Sequence, residues 1–504
     1  MNALLSLLAA TAIATNVQTV LDRHDKVESK QLAPLTSAAV KFPTYQYNDE
    51  AHVEQKAWLL KTAADLGFVA RDAGKIVEIE LPGPAGAPVL GLVVHGDVQP
   101  VEADAWSFPP FEGRVDDNYV YGRGSADDKG PLAQALVAMK ALEESGIART
   151  HTIRLLVGSE EESSAKEMPE YLAAHAAPDY SLVLDSEFPV VVGEKAWNAL
   201  SVVTTLAERP GVTKPYRVVY LDAGLGASIV PERAEIRLHW KPGTPADWKP
   251  IMESLRAFRM PEGTRIGMAD EADLLRVVAY GKSAHAGVNL TGGRNALVAL
   301  ARLMEGRLPS GGANDLLAFV RQAGQDLHGT GLGIKDNDPI WGRYSVNIAT
   351  IKLVENEEDK RRMTINIRSI PPRTGAQLKR DMLAVVAAFN KRTGANLVEG
   401  PDGYWDDTTF GVDPNANLVK RLVAAYEAAT GTKAKPAISG GGTYAKRIPN
   451  AIAFGMWFPG KPYPGHDVDE KMPVADLDRG ARVLIRALVD IATGPKVEKP
   501  FARE

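Results

Sequence analysis

Five short stretches between residues 95 and 467 concentrate side chains that bind divalent cations. They are His95-Gly-Asp97, Asp127-Asp128-Lys129-Gly130, Glu160-Glu161-Glu162, Asp185-Ser186-Glu187 and Gly465-His466-Asp467. Most follow an apolar run or sit at a turn, and side chains at strand ends converge in space however far apart they are in sequence. Together they would supply two imidazoles and several carboxylates, a donor set suited to borderline-hard divalent ions. The chemistry such a set serves is hydrolysis, with a carboxylate as general base beside two cations.

Each stretch has a plainer reading when taken alone. His95 is then a polar loop residue, and Asp127-Asp128 before Pro131 caps a helix. Glu160-Glu161-Glu162 is a solvated charge run, although three adjacent carboxylates repel one another unless cations neutralise them. Asp185 ends the apolar run Leu182 to Leu184 and needs a partner because its desolvation is expensive; a metal or an arginine serves equally. His466 sits in a turn, Pro464-Gly465-His466-Asp467. Occurring together, the stretches favour one shared site.

The elements that must position them are legible in part. Val89 to Val94 is a continuous apolar run and therefore a buried strand. Thr152 to Val157 and Ser181 to Leu184 read the same way. Glu54 to Leu66 reads as an amphipathic helix. Pro131 suits the first turn of a helix in which Leu132, Ala135, Leu136, Met139 and Leu142 keep helical spacing up to Gly146. Strand–helix–strand alternation predicts an α/β domain with a largely parallel sheet and helices on both faces, whose ligands bind at the carboxyl ends of strands.

After Trp197 the texture changes. Strands are expected at 216–221, 234–240 and 274–280, with helices near 295–305 and 375–391. From Asp406 the first texture returns, with a helix over 415–430, a glycine loop at 440–442 and a strand near 451–457. The expectation is an N-terminal extension, 1–28, and a catalytic domain built from 29–196 and 404–504. An inserted α+β domain, 197–403, interrupts it.

The chain has 504 residues, more than one simple core holds. Its net charge of −5, with no long basic run, leaves no electrostatic footprint for nucleic acid. With no cysteine, thiol nucleophiles, disulfides, zinc fingers and iron–sulfur clusters are excluded, and any metal falls to His, Asp and Glu. Ala3 to Ala14 is apolar, with Ala12-Ile13-Ala14 resembling a cleavage site. Its length suits an export signal and is too short to span a membrane, yet no Lys or Arg precedes it. The same residues read equally as a helix continuing through Val17 to Leu21. A cleaved signal would place the protein in a bacterial periplasm; otherwise it is cytoplasmic. No later stretch suits a membrane span.

The stretch Tyr121-Gly-Arg-Gly-Ser-Ala-Asp127-Asp128-Lys129-Gly130-Pro131 resembles the M20 metallopeptidase family, specifically its PepV-type and carnosinase-like dipeptidase branch. HGDVQP from His95, LDSEFP from Leu184 and SGGGTYAK from Ser439 support the resemblance, which runs from about Glu28 to the C-terminus. It implies a two-zinc aminopeptidase-like catalytic domain whose inserted domain is a lid. Asp127 would bridge two divalent ions, most simply Zn2+, with Mn2+ or Co2+ as alternatives. His95 and Asp185 would complete one, Glu162 and His466 the other. Asp97 would partner His95, and Glu161 would be the general base. A cis peptide is expected between Asp127 and Asp128.

Within the inserted domain, the resemblance makes His285 of Gly281-Lys-Ser-Ala-His285-Ala-Gly287 the oxyanion stabiliser and Arg368 a substrate-binding residue. The Gly440-Gly441-Gly442-Thr443 loop would offer N–H groups to a substrate carboxylate. Ser228 stands where the family often has Asn, a departure that shifts expectations about substrate. The implied reaction is hydrolysis of the peptide bond of dipeptides. A deacylase of N-acyl amino acids is the alternative, and a non-catalytic peptide- or metal-binding protein the remote one. The partner is a small peptide, and both monomer and homodimer stay open.

Overall fold

The apolar runs become strands buried on both faces. The computed structural model describes residues 2–243, 245–406 and 409–501, with side chains from residue 11 onward. Met1–Glu194, Phe410–Gly465 and Asp469–Glu504 form one unit; Lys195–Thr409 and His466–Val468 form a second.

The first unit carries β1 (Val69–Ala73), β2 (Ile76–Leu81), β3 (Val89–His95), β4 (Thr152–Gly158), β5 (Tyr180–Val183) and β6 (Val191–Glu194). Its nine-stranded sheet runs β1–β2–β4–β3–β5, then Ala451–Ala453, β6 and Phe410–Gly411, with Ala437–Ser439 also on β6. β4, β3, β5 and Ala451–Ala453 are parallel to one another, while β1, β2 and Phe410–Gly411 pair antiparallel at the margins. The sheet is thus mixed, with a parallel centre.

Alternate residues of the parallel strands feed two cores. Leu90, Leu92 and Val94 of β3, with Leu155 of β4 and Leu182 of β5, pack in the larger core. Val93, Leu156 and Val183 point the other way and meet Met168, Tyr171 and Tyr444. A strand covered on both faces has no polar positions to spare, hence the unbroken apolar run.

The larger core is closed by α1 (Asn2–Lys26), α2 (Asp49–Asp65), α3 (Lys129–Glu144) and the helices Asn417–Thr430 and Val474–Thr493. All five helical-spacing positions expected from Leu132 to Leu142 lie in it. α1 runs unbroken through Ala12–Ala14, and Val17, Val20 and Leu21 are core residues. The side chains of residues 3–10, part of the apolar segment read as an export signal, lie outside the described residues. Among the described residues, no helix is long and apolar enough to cross a membrane. The strand expected at 451–457 is broken at Gly455 (φ 68°) into Ala451–Ala453 and Met456–Trp457.

The second unit is an eight-stranded antiparallel sheet. Its strands are β7 (Ala196–Thr205), β8 (Tyr216–Ala223), β9 (Arg233–Trp240), β10 (Arg265–Glu271), β11 (Leu274–Tyr280), β12 (Ser345–Val354), β13 (Glu357–Ser369) and β14 (Val398–Glu399). They are ordered β10–β11–β9–β8–β12–β13–β7–β14. α4 (Ala296–Leu303), α5 (Gly312–Ala323) and α6 (Gly375–Thr393) share a core with this sheet. Along β13, Ile365 and Ile367 enter that core. Asn366 and Arg368, opposite Ala199 and Trp197 on β7, therefore lie on the other face.

The turn that leads into α3 is held from the far end of the first unit. Gly122 adopts φ 136°, and a Cβ there would sit 2.8 Å from the carbonyl oxygen of Pro110, so only glycine suits. Glu470 Oε1 accepts the N–H groups of Ala126 (2.9 Å) and Asp127 (3.3 Å), and its Oε2 accepts from Arg123 Nη1 at 2.7 Å. Both partners of this ion pair are buried. Removing one partner of such a pair strands the other charge, at a cost of about 3 kcal/mol or more. Glu470→Ala is therefore expected to lower unfolding free energy by about 3 kcal/mol in urea titration; a change under about 0.5 kcal/mol, the range of ordinary surface substitutions, would contradict this role.

Candidate metal centre

The parallel register brings three of the five stretches level. His95 is the last residue of β3 and lies opposite Gly158, the last of β4; Val93 lies opposite Val183 on β5. Glu161 and Glu162 follow β4, and Asp185 follows β5. All emerge at carboxyl ends, as expected for an open α/β sheet. Asp127 arrives from the turn before α3, across a cis peptide bond to Asp128.

These side chains meet around His95. Its Nε2 is 3.0 Å from Asp127 Oδ1 and 3.8 Å from Asp185 Oδ2. Ligand atoms of His95, Glu161 and Asp185 lie within 4.8 Å of one another, as do those of His95, Asp127 and Glu162. His95 Nδ1 is 3.0 Å from the backbone carbonyl of Asp97, which can only accept, so this nitrogen carries a proton and Nε2 is the one that faces the carboxylates. The partner expected here was the Asp97 carboxylate. That carboxylate lies 3.5 Å from Nδ1, as an ion-pair partner, and also takes the N–H groups of Glu161 (3.2 Å) and Glu162 (2.9 Å). Asp97 thus ties the end of β3 to the loop after β4.

Charge crowding is severe. Burial, followed by the charges of Asp128 and Asp127, pushes the Asp185 carboxyl well above the usual range. Burial and then Asp185 do the same to Glu161. Burial raises Asp128 too, with the Asp127 charge adding to the shift. Its Oδ2 accepts the His95 N–H at 3.1 Å, while Oδ1 has no hydrogen-bond partner among the described residues. For His95, burial opposes the charge, but the hydrogen bonds of Asp127 and Asp97 prevail and its pKa is raised well above the ordinary value. Without a cation, such a cluster resolves its repulsion only by holding protons. Imidazole and carboxylate oxygen in this number and spacing fit one or two divalent ions.

Several buried supports are not among the candidate site residues expected from the sequence. Glu167 accepts the N–H of Glu160 at 3.0 Å and is itself bonded by the Tyr444 hydroxyl. Burial and the Glu167 charge push the Tyr444 phenol well up, so it remains a donor. Gln99 and the Arg123–Glu470 pair belong to the same set. The type of each residue does not announce its role; its burial and its partners do.

The remaining predicted residues gather in the second unit. His285 Nδ1 accepts the N–H groups of Gly287 (3.0 Å) and Val288 (3.1 Å), which places the ring proton on Nε2 and makes that nitrogen a donor. His466 Nδ1 lies 3.3 Å from the carbonyl of Ser228, so the opposite assignment holds there and its Nε2 carries the lone pair. The two rings stack with centroids 4.3 Å apart. Ser228 Oγ accepts from Trp197 Nε1 and from Arg368 Nη2, each at 3.0 Å, and Arg368 Nε donates to Asn366 at 3.0 Å. Lys195 donates to the carbonyl of Arg343; burial, then the Arg368 charge, lowers its pKa.

In the glycine loop, Gly441 and Thr443 have partners within the protein. Gly441 N–H donates to Ser439 Oγ at 2.9 Å. Thr443 N–H and Oγ1 both donate to the buried carboxylate of Glu194, at 3.0 and 2.8 Å. These donors, foreseen as a substrate nest, are engaged within the protein, and they set the loop's shape.

Known proteins resemble this chain in sequence and in fold. A protein of Bacillus subtilis (strain 168) named "Putative dipeptidase YtjP" is 28% identical over 409 residues, covering 81% of this chain and 84% of its own. A likewise named protein of Staphylococcus epidermidis (strain ATCC 12228 / FDA PCI 1200) is 26% identical over 423 residues, covering 84% and 87%. Among solved structures, human carnosine dipeptidase 1 matches at TM-score 0.58 and 13% identity, covering 95% of this chain and 98% of its own. The dipeptidase Dug1p of Saccharomyces cerevisiae matches at 0.59 and 14%, covering 94% and 98%. At such identities the structural matches speak for the fold alone. The model of peptidase family M20/M25/M40 matches residues 91–490, and the chain belongs to that family.

Proposed function

We propose that the protein is a two-metal dipeptidase that hydrolyses the peptide bond of unblocked dipeptides. The observation that carries this reading is the donor set around His95, where ligand atoms of Asp127, Glu161, Glu162 and Asp185 each come within 4.8 Å of one imidazole. The dipeptidase names of its relatives support the substrate class.

His95 and Asp185 would hold one cation, Glu162 and His466 the other, with Asp127 shared; zinc suits these donors, as do manganese and cobalt. Bound there, the cations would lower the pKa of a shared water and draw charge from the scissile carbonyl. Glu161 is the base: a carboxylate oxygen takes a proton from the attacking water and returns it to the leaving amine nitrogen. His285 donates its Nε2–H to the carbonyl oxygen as negative charge develops there. Arg368, aimed by Asn366 and Ser228, pairs with the free carboxylate of the peptide. In this reading the inserted unit is the lid that brings His285 and Arg368 to the substrate. A serine at 228, shorter than asparagine, serves Arg368 and the His466 ring through its hydroxyl and carbonyl.

Glu161→Gln is expected to lower kcat by about 10²-fold or more while metal content by elemental analysis stays at the parent level; parent-like turnover would remove Glu161 from this role. Asp127→Asn should release both ions together, and unchanged metal content would end the bridging assignment. On a panel of unblocked dipeptides against N-acetyl and N-succinyl amino acids, chelator-sensitive turnover is expected on the dipeptides, and a preference for the acylated compounds would make the protein a deacylase instead.

A further inference from the structure

The HGDVQP stretch holds a residue that the reaction scheme leaves unused. Gln99 is buried, and its Nε2 makes two contacts with one residue: 3.0 Å to the carbonyl oxygen of Glu162 and 2.9 Å to Glu162 Oε2. An amide nitrogen has two N–H groups, so both are spent on Glu162. We propose that Gln99 is the positioning residue that aims the Glu162 carboxylate at the cation shared with Asp127, an inference that rests on the two-metal reading above.

The surroundings make Gln99 a rigid support. Val98 is buried, and its N–H donates to the carbonyl of Thr44 at 3.1 Å. The carbonyl of Gly96 accepts from Thr44 Oγ1 at 2.7 Å and from Gln55 Nε2 at 2.9 Å. Residues 95–99 are therefore anchored from behind. Asp97 already holds the N–H of Glu162 at 2.9 Å, so Gln99 completes a frame around that residue: amide hydrogen to Asp97, carbonyl and carboxylate to Gln99. Glu162 lies on a turn after β4, outside any helix or strand that would fix its side chain. Its carboxylate direction depends on such outside bonds, because the terminal torsion of glutamate is broad.

The choice of an amide is itself informative. A lysine or arginine here would reach the same oxygen but bring a positive charge that competes with the cation. An aliphatic residue would fill the space and leave the carboxylate unaimed. A neutral donor orients the ligand and leaves its full charge for the metal, the role that outer hydrogen-bond partners play at metal sites, where their loss weakens metal affinity by about 10–100-fold.

The test uses Gln99→Met, of similar length and no charge, and Gln99→Lys, each stripped of metal and titrated with Zn2+ against a chromophoric chelator, with Co2+ absorption as a second readout. In Gln99→Met, one site is expected to keep the parent affinity and the other to weaken by about 10–100-fold, with an altered Co2+ spectrum, a lower kcat at little-changed KM, and a metal-free Tm near that of the parent. Gln99→Lys should lose the second ion altogether. Two ions bound by Gln99→Met at parent affinity, with a parent-like Co2+ spectrum, would overturn the positioning role; a lower metal-free Tm with unchanged affinity would reduce Gln99 to a packing residue and overturn it equally. If Gln99→Met does not fold, the stoichiometry of Gln99→Lys decides. A parent protein that binds no ion would instead defeat the two-metal reading itself.

Discussion

Like charge gathered at the carboxyl ends of parallel strands is the constraint on which this protein turns. Burial first, and then the charges of neighbouring carboxylates, push Asp128, Glu161 and Asp185 up, with Asp127 among the charges that raise Asp128 and Asp185. No arrangement of water alone relieves repulsion of this kind at an enclosed corner. A divalent cation does, and the surrounding protein is built to keep the corner from relaxing in any other way. β3, β4 and β5 are buried on both faces, so their ends cannot splay without opening two cores. The turn bearing Asp127 is held by the N–H bonds of Ala126 and Asp127 to Glu470.

Much of this was legible in the sequence, for identifiable reasons. Val89 to Val94 is apolar at every position because both faces of β3 are covered, and that pattern announces a parallel strand and a ligand-bearing end. Leu132 to Leu142 keep helical spacing because α3 packs on the larger core. The hairpin of β12 and β13 was missed. β13 opens with Glu357-Glu358-Asp359-Lys360-Arg361-Arg362, a charged run that reads as loop, and the long antiparallel pairing to β7 and β12 holds it as a strand. Tertiary pairing overrode local composition there. At the site, the acids and histidines announced themselves by type, whereas Gln99, Glu470 and Arg123 did not. Their importance comes from burial and from which atom they face, neither of which a residue type records.

The histidines show the same limit. His285 and His466 are both single imidazoles in glycine-bearing turns, and composition cannot distinguish them. Their backbones do. Two N–H groups pointing at His285 Nδ1 force its proton to Nε2, and a carbonyl facing His466 Nδ1 forces the reverse. One ring thereby presents an N–H, the kind of group a developing oxyanion needs, and the other a lone pair, the kind a cation needs. The division of labour follows from peptide geometry two or three residues away, or from a chain segment more than two hundred residues distant.

The supports of the first unit sort by charge in a way that follows from what each must hold. Asp127 is fixed through its backbone N–H, at some remove from its carboxylate, and there a full carboxylate, Glu470, is tolerable because Arg123 neutralises it at 2.7 Å. Glu162 is fixed in part through the carboxylate itself, and there the donor is the uncharged amide of Gln99. A cation at that second position would satisfy the ligand before the metal arrived. An ion pair serves where the backbone is held and a neutral donor where the ligand atom is held. The electrostatics of an acidic centre that must stay available to a metal ion require that ordering.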